Sequence, residues 1–214
     1  MPVRPSELKA LTELTDEDLM RLFQQDNSEA AYTVLVRRYR SPITNFLYRF
    51  VGNYDDALDL AQETFLRLYK YKHTYHSVQR FSTWLYTIAT NVARTFYQQR
   101  NRYSTASLTS MQSSEEEEPS EWEIPDTSYI PDQRVDSTYI AQRIQKALMQ
   151  LPPVFREAIV LREILELSYE EIAEVMQTEL GTVKSRINRA RQRLQELLRD
   201  VYEELYGTPT SQAE

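Results

Sequence analysis

The chain has 214 residues, 41% of them hydrophobic and 27% charged, with a formal net charge of −7; this is the composition of one large or two small globular domains, not of a disordered polymer. Three glycines and no cysteine exclude a Gly-rich phosphate loop, disulfides, thiol catalysis and Cys-ligated zinc. No run of about 18 apolar residues occurs, and Met1-Pro2-Val3-Arg4 has no apolar secretory core, so a soluble cytoplasmic protein without membrane insertion is expected.

From Thr15 to Gln25, Leu19, Leu22 and Phe23 predict a helix capped by Thr15. Leu35, Val36, Tyr39, Ile43, Phe46, Leu47 and Phe50 recur with helical period and predict a second helix, which Pro42 either kinks or restarts from Ser41. Leu58, Ala61, Phe65 and Leu68 mark a third, and Leu85, Ile88, Ala89, Val92 and Phe96 a fourth. These helices predict a bundle over residues 10–102. Residues 103–136 lack an apolar stripe and are rich in Ser, Thr, Glu and Pro. Nine acids, among them Glu115 to Glu118, face the single base Arg134, so this segment carries −8 and the rest of the chain +1. A flexible acidic linker is expected there.

Helical period returns at Ile140, Ile144, Leu148 and Leu151, and Pro152-Pro153 stops that helix and starts another through Phe155, Ala158 and Ile159. Ser168, with Glu171 three residues on, reads as a capping box opening a short helix that turns Ile172, Ala173 and Met176 inward. After Gln177-Thr178, Val183, Ile187, Ala190, Leu194 and Leu197 form the stripe of a long helix. Its six bases, Lys184, Arg186, Arg189, Arg191, Arg193 and Arg199, face one acid, Glu196. A short capped helix, a tight turn and a long basic helix describe a helix-turn-helix. The expected fold is all-α: an N-terminal helical bundle and a C-terminal four-helix domain over 137–206. Lys184, Ser185, Asn188 and Arg189 share a face off the buried stripe, with Thr182 and Arg186 beside them. Such side chains reach guanine edges, adenine edges and phosphates. The plainer reading is a solvated basic helix.

Read in order, these blocks resemble bacterial sigma factors of the extracytoplasmic-function (ECF) type. Asp55-Asp56-Ala57-Leu58-Asp59-Leu60-Ala61-Gln62-Glu63-Thr64-Phe65-Leu66 is similar to the family's region 2.2. Ser82-Thr83-Trp84-Leu85-Tyr86-Thr87-Ile88-Ala89-Thr90-Asn91 is similar to regions 2.3 to 2.4. Leu167-Ser168-Tyr169-Glu170-Glu171-Ile172-Ala173 and Gly181-Thr182-Val183-Lys184-Ser185-Arg186 are similar to region 4. The resemblance implies a non-enzymatic protein that binds core RNA polymerase at its clamp and flap and directs promoter-specific initiation. Residues 10–102 would be region 2 and residues 137–206 region 4.

By the same resemblance, Asp56, Asp59, Gln62 and Glu63 meet the clamp. Lys72, Arg80, Phe81, Trp84, Thr87, Asn91 and Arg94 meet the single-stranded −10 element, where aromatics stack bases and cations hold phosphates. Thr182, Lys184, Ser185, Arg186, Asn188 and Arg189 read the −35 major groove. The acidic segment would thread the polymerase's nucleic-acid channel. Its length permits the two blocks to swing between closed and open arrangements. The resemblance also implies an anti-sigma partner, a monomeric free state and a stress or envelope response. No cofactor is implied, and His73 and His76 lack a third metal ligand. The family's loop before the Trp often carries Gly and an acid, where this chain has His76-Ser77-Val78-Gln79-Arg80-Phe81, and Gln177 stands where a turn Gly is common. The alternative is a helix-turn-helix transcriptional regulator with an N-terminal sensing or dimerisation domain. An enzyme would need clustered carboxylates on rigid elements.

Overall fold

A computed structural model of the protein describes residues 10–78, 80–110 and 134–206, with side chains over 10–78, 80–100 and 139–205. Helices form the architecture, and no strand occurs among the described residues. Helix α1 spans Asp16–Gln25 and is capped by Thr15, whose hydroxyl accepts from the Asp18 amide at 3.1 Å. Helix α2 spans Glu29–Val51 without interruption at Pro42. Proline removes one backbone donor and would ordinarily break the helix. Here Val34 and Leu35 before it and Ile43, Phe46 and Leu47 after it are buried in one core, so packing on both sides holds the axis. Gly52 ends α2 in the left-handed region at φ +84°, donating its amide to the Tyr48 carbonyl. Helix α3 spans Tyr54–Tyr71 from an Asn53 cap and runs into a 3₁₀ turn at Lys72–Thr74. Helix α4 spans Phe81–Ser110, beyond the boundary at residue 102 expected from the apolar stripe.

The C-terminal block contains α5 (Arg134–Met149), α6 (Pro153–Glu163), α7 (Tyr169–Met176), α8 (Leu180–Leu197) and a short continuation, α9 (Arg199–Tyr206). The capping box is complete: the Glu171 amide donates to Ser168 Oγ at 3.1 Å, and the Ser168 amide donates to Glu171 Oε2 at 2.8 Å. Gln177 adopts φ +50°, so the turn takes the left-handed conformation usual for glycine. The centre of the expected linker, residues 111–133 with Glu115 to Glu118, lies outside the described residues.

The two blocks share one core. α2 packs on α5 and α6, and α4 packs on α7. Met149 closes tightly over Gly52, where a Cβ would sit 2.6 Å from its sulfur. Gln145 donates to the Tyr48 carbonyl at 3.1 Å and accepts from Arg49 at 3.2 Å. Of the closed and open arrangements that the sequence permits, this is the closed one.

Candidate nucleic-acid interface

Helix α8 buries Val183, Ile187 and Ala190 completely, which turns its polar face outward. Lys184, Ser185, Asn188 and Arg189 are exposed, and Thr182 and Arg186 are half-buried beside them. The helix's cations are not equivalent. Arg191 pairs with Glu163 at 2.6 Å and Arg193 with Glu196 at 2.8 Å. Lys184 and Arg189 make no ion pair among the described residues, so their charge is not neutralised within the block. Gly181 faces open space at the first turn, where backbone amides point outward. The six expected groove-reading residues thus lie together on or beside one surface.

Helix α4 presents the second expected set, in a different state. Arg94 donates to both Glu157 oxygens, at 2.5 and 3.2 Å, and to the Met176 carbonyl at 3.4 Å. It also lies 3.4 Å from Asn91 Oδ1. Thr87 donates to the Thr83 carbonyl one turn back. Arg80 is exposed, with its guanidinium 3.4 Å from Glu171. Trp84 is half-buried, its ring 5.3 Å from Tyr75 and 6.2 Å from Phe81.

Two members of this set need correction. Phe81 is 0% exposed and packs among Tyr39, Tyr75 and Trp84, so it is a core residue with no free face for a base. Lys72 is 6% exposed; its ammonium donates to Asn27 and sits 4.3 Å above the Phe23 ring, so it holds the α1–α3 junction and not a phosphate.

On α3, Asp59 and Gln62 are exposed and Glu63 is half-buried and paired with Arg67 at 2.7 Å. Asp56 lies half-buried in the first turn, 3.8 Å from Arg100. The sequence reading did not single out Leu66, which is 64% exposed and one turn from Gln62 and Glu63. Its departure from the Leu58–Leu68 stripe was the available signal. A cleft of about 350 Å³ was also missed. Glu17, Arg21 and Gln24 on α1 line it with Tyr75, His76 and Ser77. Its walls are 50 or more residues apart in sequence, beyond any local pattern. Glu17 also accepts from the Phe81 amide at 3.2 Å, capping α4.

Burial raises the carboxyl pKa of Glu157, against the opposing pull of Arg94 and Arg186. At Glu171 desolvation also pushes upward. It is outweighed by the hydrogen bonds from the Ser168 backbone and hydroxyl, then by Arg80 and Thr83, and the net shift is downward. No group of three or more metal-ligating side chains occurs among the described residues, and no helix among them is long and apolar enough to cross a membrane.

Two family models match the chain: sigma-70 region 2 over residues 35–103 and sigma-70 region 4 over residues 141–194. The ECF RNA polymerase sigma factor SigW of Bacillus subtilis is 36% identical over 171 residues, covering 80% of this chain and 90% of that protein. The RNA polymerase sigma-H factor of Pseudomonas aeruginosa is 33% identical, covering 91% of this chain and 99% of that one. Among solved structures, the sigma factor RpoE of Bartonella quintana, in complex with the anti-sigma factor NepR, matches with a TM-score of 0.60 at 27% identity. That match covers 78% of this chain and 96% of that one.

Proposed function

The chain belongs to the ECF sigma factors of the sigma-70 family, and from that premise we propose how its residues divide the work of initiation. The protein binds core RNA polymerase and directs it to promoters. It catalyses no reaction itself; its contribution is binding energy and positioning. Region 2 extends over residues 10–102 and region 4 over residues 137–206, and the protein acts in the cytoplasm in a stress or envelope response.

The observation that carries the residue assignment is the exposed polar face of α8, with Lys184 and Arg189 unneutralised beside Ser185 and Asn188. In the −35 major groove, Asn188 pairs with a base edge and Lys184 and Arg189 serve guanine or phosphate. Thr182, Ser185 and Arg186 complete the contact. In region 2, Asn91, Arg94, Thr87, Arg80 and the free face of Trp84 hold the melted −10 strand. Asp59, Gln62 and Glu63 meet basic groups of the clamp, where carboxylates set register more than affinity. Leu66 adds an apolar anchor in their midst, and Asp56 flanks them. An anti-sigma protein is the proposed regulator, as RpoE of Bartonella quintana has in NepR.

The test is transcription from genomic fragments by bacterial core polymerase with and without the purified chain, with start sites mapped. New start sites sharing −35 and −10 sequences are expected, with Arg189→Ala relaxing selection upstream and Asn91→Ala impairing strand opening. Unchanged start sites on adding the chain would overturn the reading.

A further inference from the structure

Helix α1 precedes the residues that the region 2 model matches, yet it is built as a rigid part of the first block. Leu19, Met20 and Phe23 are fully buried, and Asp16 accepts from Arg38 and from the Tyr39 hydroxyl on α2. From that fixed base α1 reaches both ends of the segment that leads into α4. At the near end, Gln24 donates from its amide nitrogen to two carbonyls, those of Lys72 at 2.6 Å and Tyr75 at 3.0 Å. At the far end, Glu17 accepts from the Phe81 amide at 3.2 Å. Helix α4 opens directly after Arg80, whose side chain has no acceptor, so the residue before the helix cannot cap it. Glu17, 64 residues away in sequence, supplies the acceptor, and its negative charge suits a helix N-terminus. Between the two grips His76, Ser77 and Val78 stand exposed, Val78 completely.

We propose that Gln24 and Glu17 are positioning residues for −10 recognition: from α1 they pin the two ends of the segment between Tyr75 and Phe81, and so fix Arg80 and Trp84 for the melted strand. The proposal rests on the assignment of Arg80, Trp84 and Asn91 to that strand. The link runs through few atoms. Tyr75, whose carbonyl Gln24 holds, packs its ring 5.3 Å from Trp84 and 5.9 Å from Phe81. Phe81, whose amide Glu17 holds, directly follows Arg80 and packs 6.2 Å from Trp84. Both positioning side chains are half-buried, and the atoms named are turned to backbone, so neither has to touch DNA. Releasing either grip lets the segment sample other conformations, and strand binding must then supply the entropy of ordering it. Bases are also told apart less well, because selection is a difference between affinities and depends on contacts held in one place.

The test uses holoenzyme assembled from bacterial core RNA polymerase and the full chain, on templates randomised over the −10 element and, separately, over the −35 element. Gln24→Glu keeps the shape of the side chain and removes its donors. Glu17→Ala removes the acceptor, and Glu17→Gln keeps one. Gln24→Glu and Glu17→Ala should each reduce the preference for the best −10 base over the others by about fivefold, the contribution of one ordinary hydrogen bond. Preference within the −35 element and affinity for core should be unchanged, which shows that the variants fold, and Glu17→Gln should select like the native chain. In the full chain alone, the Trp84 amide, bonded to the Arg80 carbonyl at 3.2 Å, reports whether the start of α4 is held. Its hydrogen exchange should quicken about fivefold in Gln24→Glu and Glu17→Ala and stay native in Glu17→Gln. Native −10 selection in both disabled variants overturns the proposal. So does an equal loss of −10 and −35 selection, or a loss of selection with Trp84 exchange unchanged. If the native holoenzyme itself has no −10 preference, the strand assignment of α4 fails and the proposal with it; native preference that the variants retain refutes the proposal alone.

Discussion

Arg156 occupies a position where the backbone cannot satisfy itself. Helix α5 ends at Met149 and is followed by Pro152-Pro153, which have no N–H to offer the carbonyls of the last turn. Arg156, 4% exposed, supplies the donors: Nε to the Leu148 carbonyl at 2.8 Å, Nη2 to Met149 at 2.8 Å and to Leu151 at 3.0 Å. Its Nη1 reaches the Phe50 carbonyl and the Tyr97 hydroxyl in region 2. In Arg156→Met the side-chain volume is roughly kept and the donors are lost. Leu148 still accepts from the Leu151 amide and Phe50 from Tyr97, but the Met149 and Leu151 carbonyls lose the donors found for them. Two orphaned carbonyls cost about 1–3 kcal/mol each. Relief from burying a guanidinium offsets part of this. A net loss of about 3 kcal/mol follows, which for a chain of this size lowers Tm by about 6–12 °C. Thermal unfolding followed by circular dichroism or calorimetry measures it. A variant melting within about 2 °C of the native chain would refute the argument that Arg156 caps α5.

Three further outcomes follow from the same geometry. Gln177→Gly relieves the left-handed strain at φ +50°; after the entropy glycine adds to the unfolded chain, it should stabilise by about 0.5–1 kcal/mol and raise Tm by about 1–4 °C in the same melt. Glu171 has a lowered carboxyl pKa, so its stabilisation is present above the ordinary carboxylate range and is lost as pH falls through the folded value; melts taken from neutral pH down to pH ~3 should show a flatter acid limb in Glu171→Gln than in the native chain. Lys184→Ala and Arg189→Ala should each weaken duplex binding by the holoenzyme and, where the side chain contacts phosphate, reduce the slope of log affinity against log salt by about one; anisotropy titrations across salt concentrations read that slope.

The parts legible in sequence are those decided within one or two helical turns. Thr15, the Ser168–Glu171 box and the Val183–Ala190 stripe each rest on spacings of three or four residues, and the structure has all three. The exposed face of α8 follows from its buried one. Local pattern fails where the deciding partner is distant. Interleaved aromatics and bases from Lys70 to Trp84 look alike whether stacked on DNA or on each other. Only α1, carrying Phe23 and followed by Asn27, shows that Lys72 is buried; Tyr39 and Tyr75 do the same for Phe81. Pro42 could not be resolved locally, because the core on both sides of it keeps α2 whole. The continuation of α4 to Ser110 carries no apolar stripe, so periodicity is silent there. The Arg94–Glu157 pair joins residues 63 apart and has no sequence signature.

The most direct test of the central claim is a titration of labelled chain with bacterial core RNA polymerase, coupled to run-off transcription from a mapped promoter. The native chain should bind core and start transcription at that promoter. Asp59→Lys with Glu63→Lys should weaken core binding by about tenfold or more, because like charges then face the clamp, while helix content is retained. Failure of the native chain to bind core, with tight binding of the free protein to promoter duplex, would contradict the account and leave an ordinary helix-turn-helix regulator in its place.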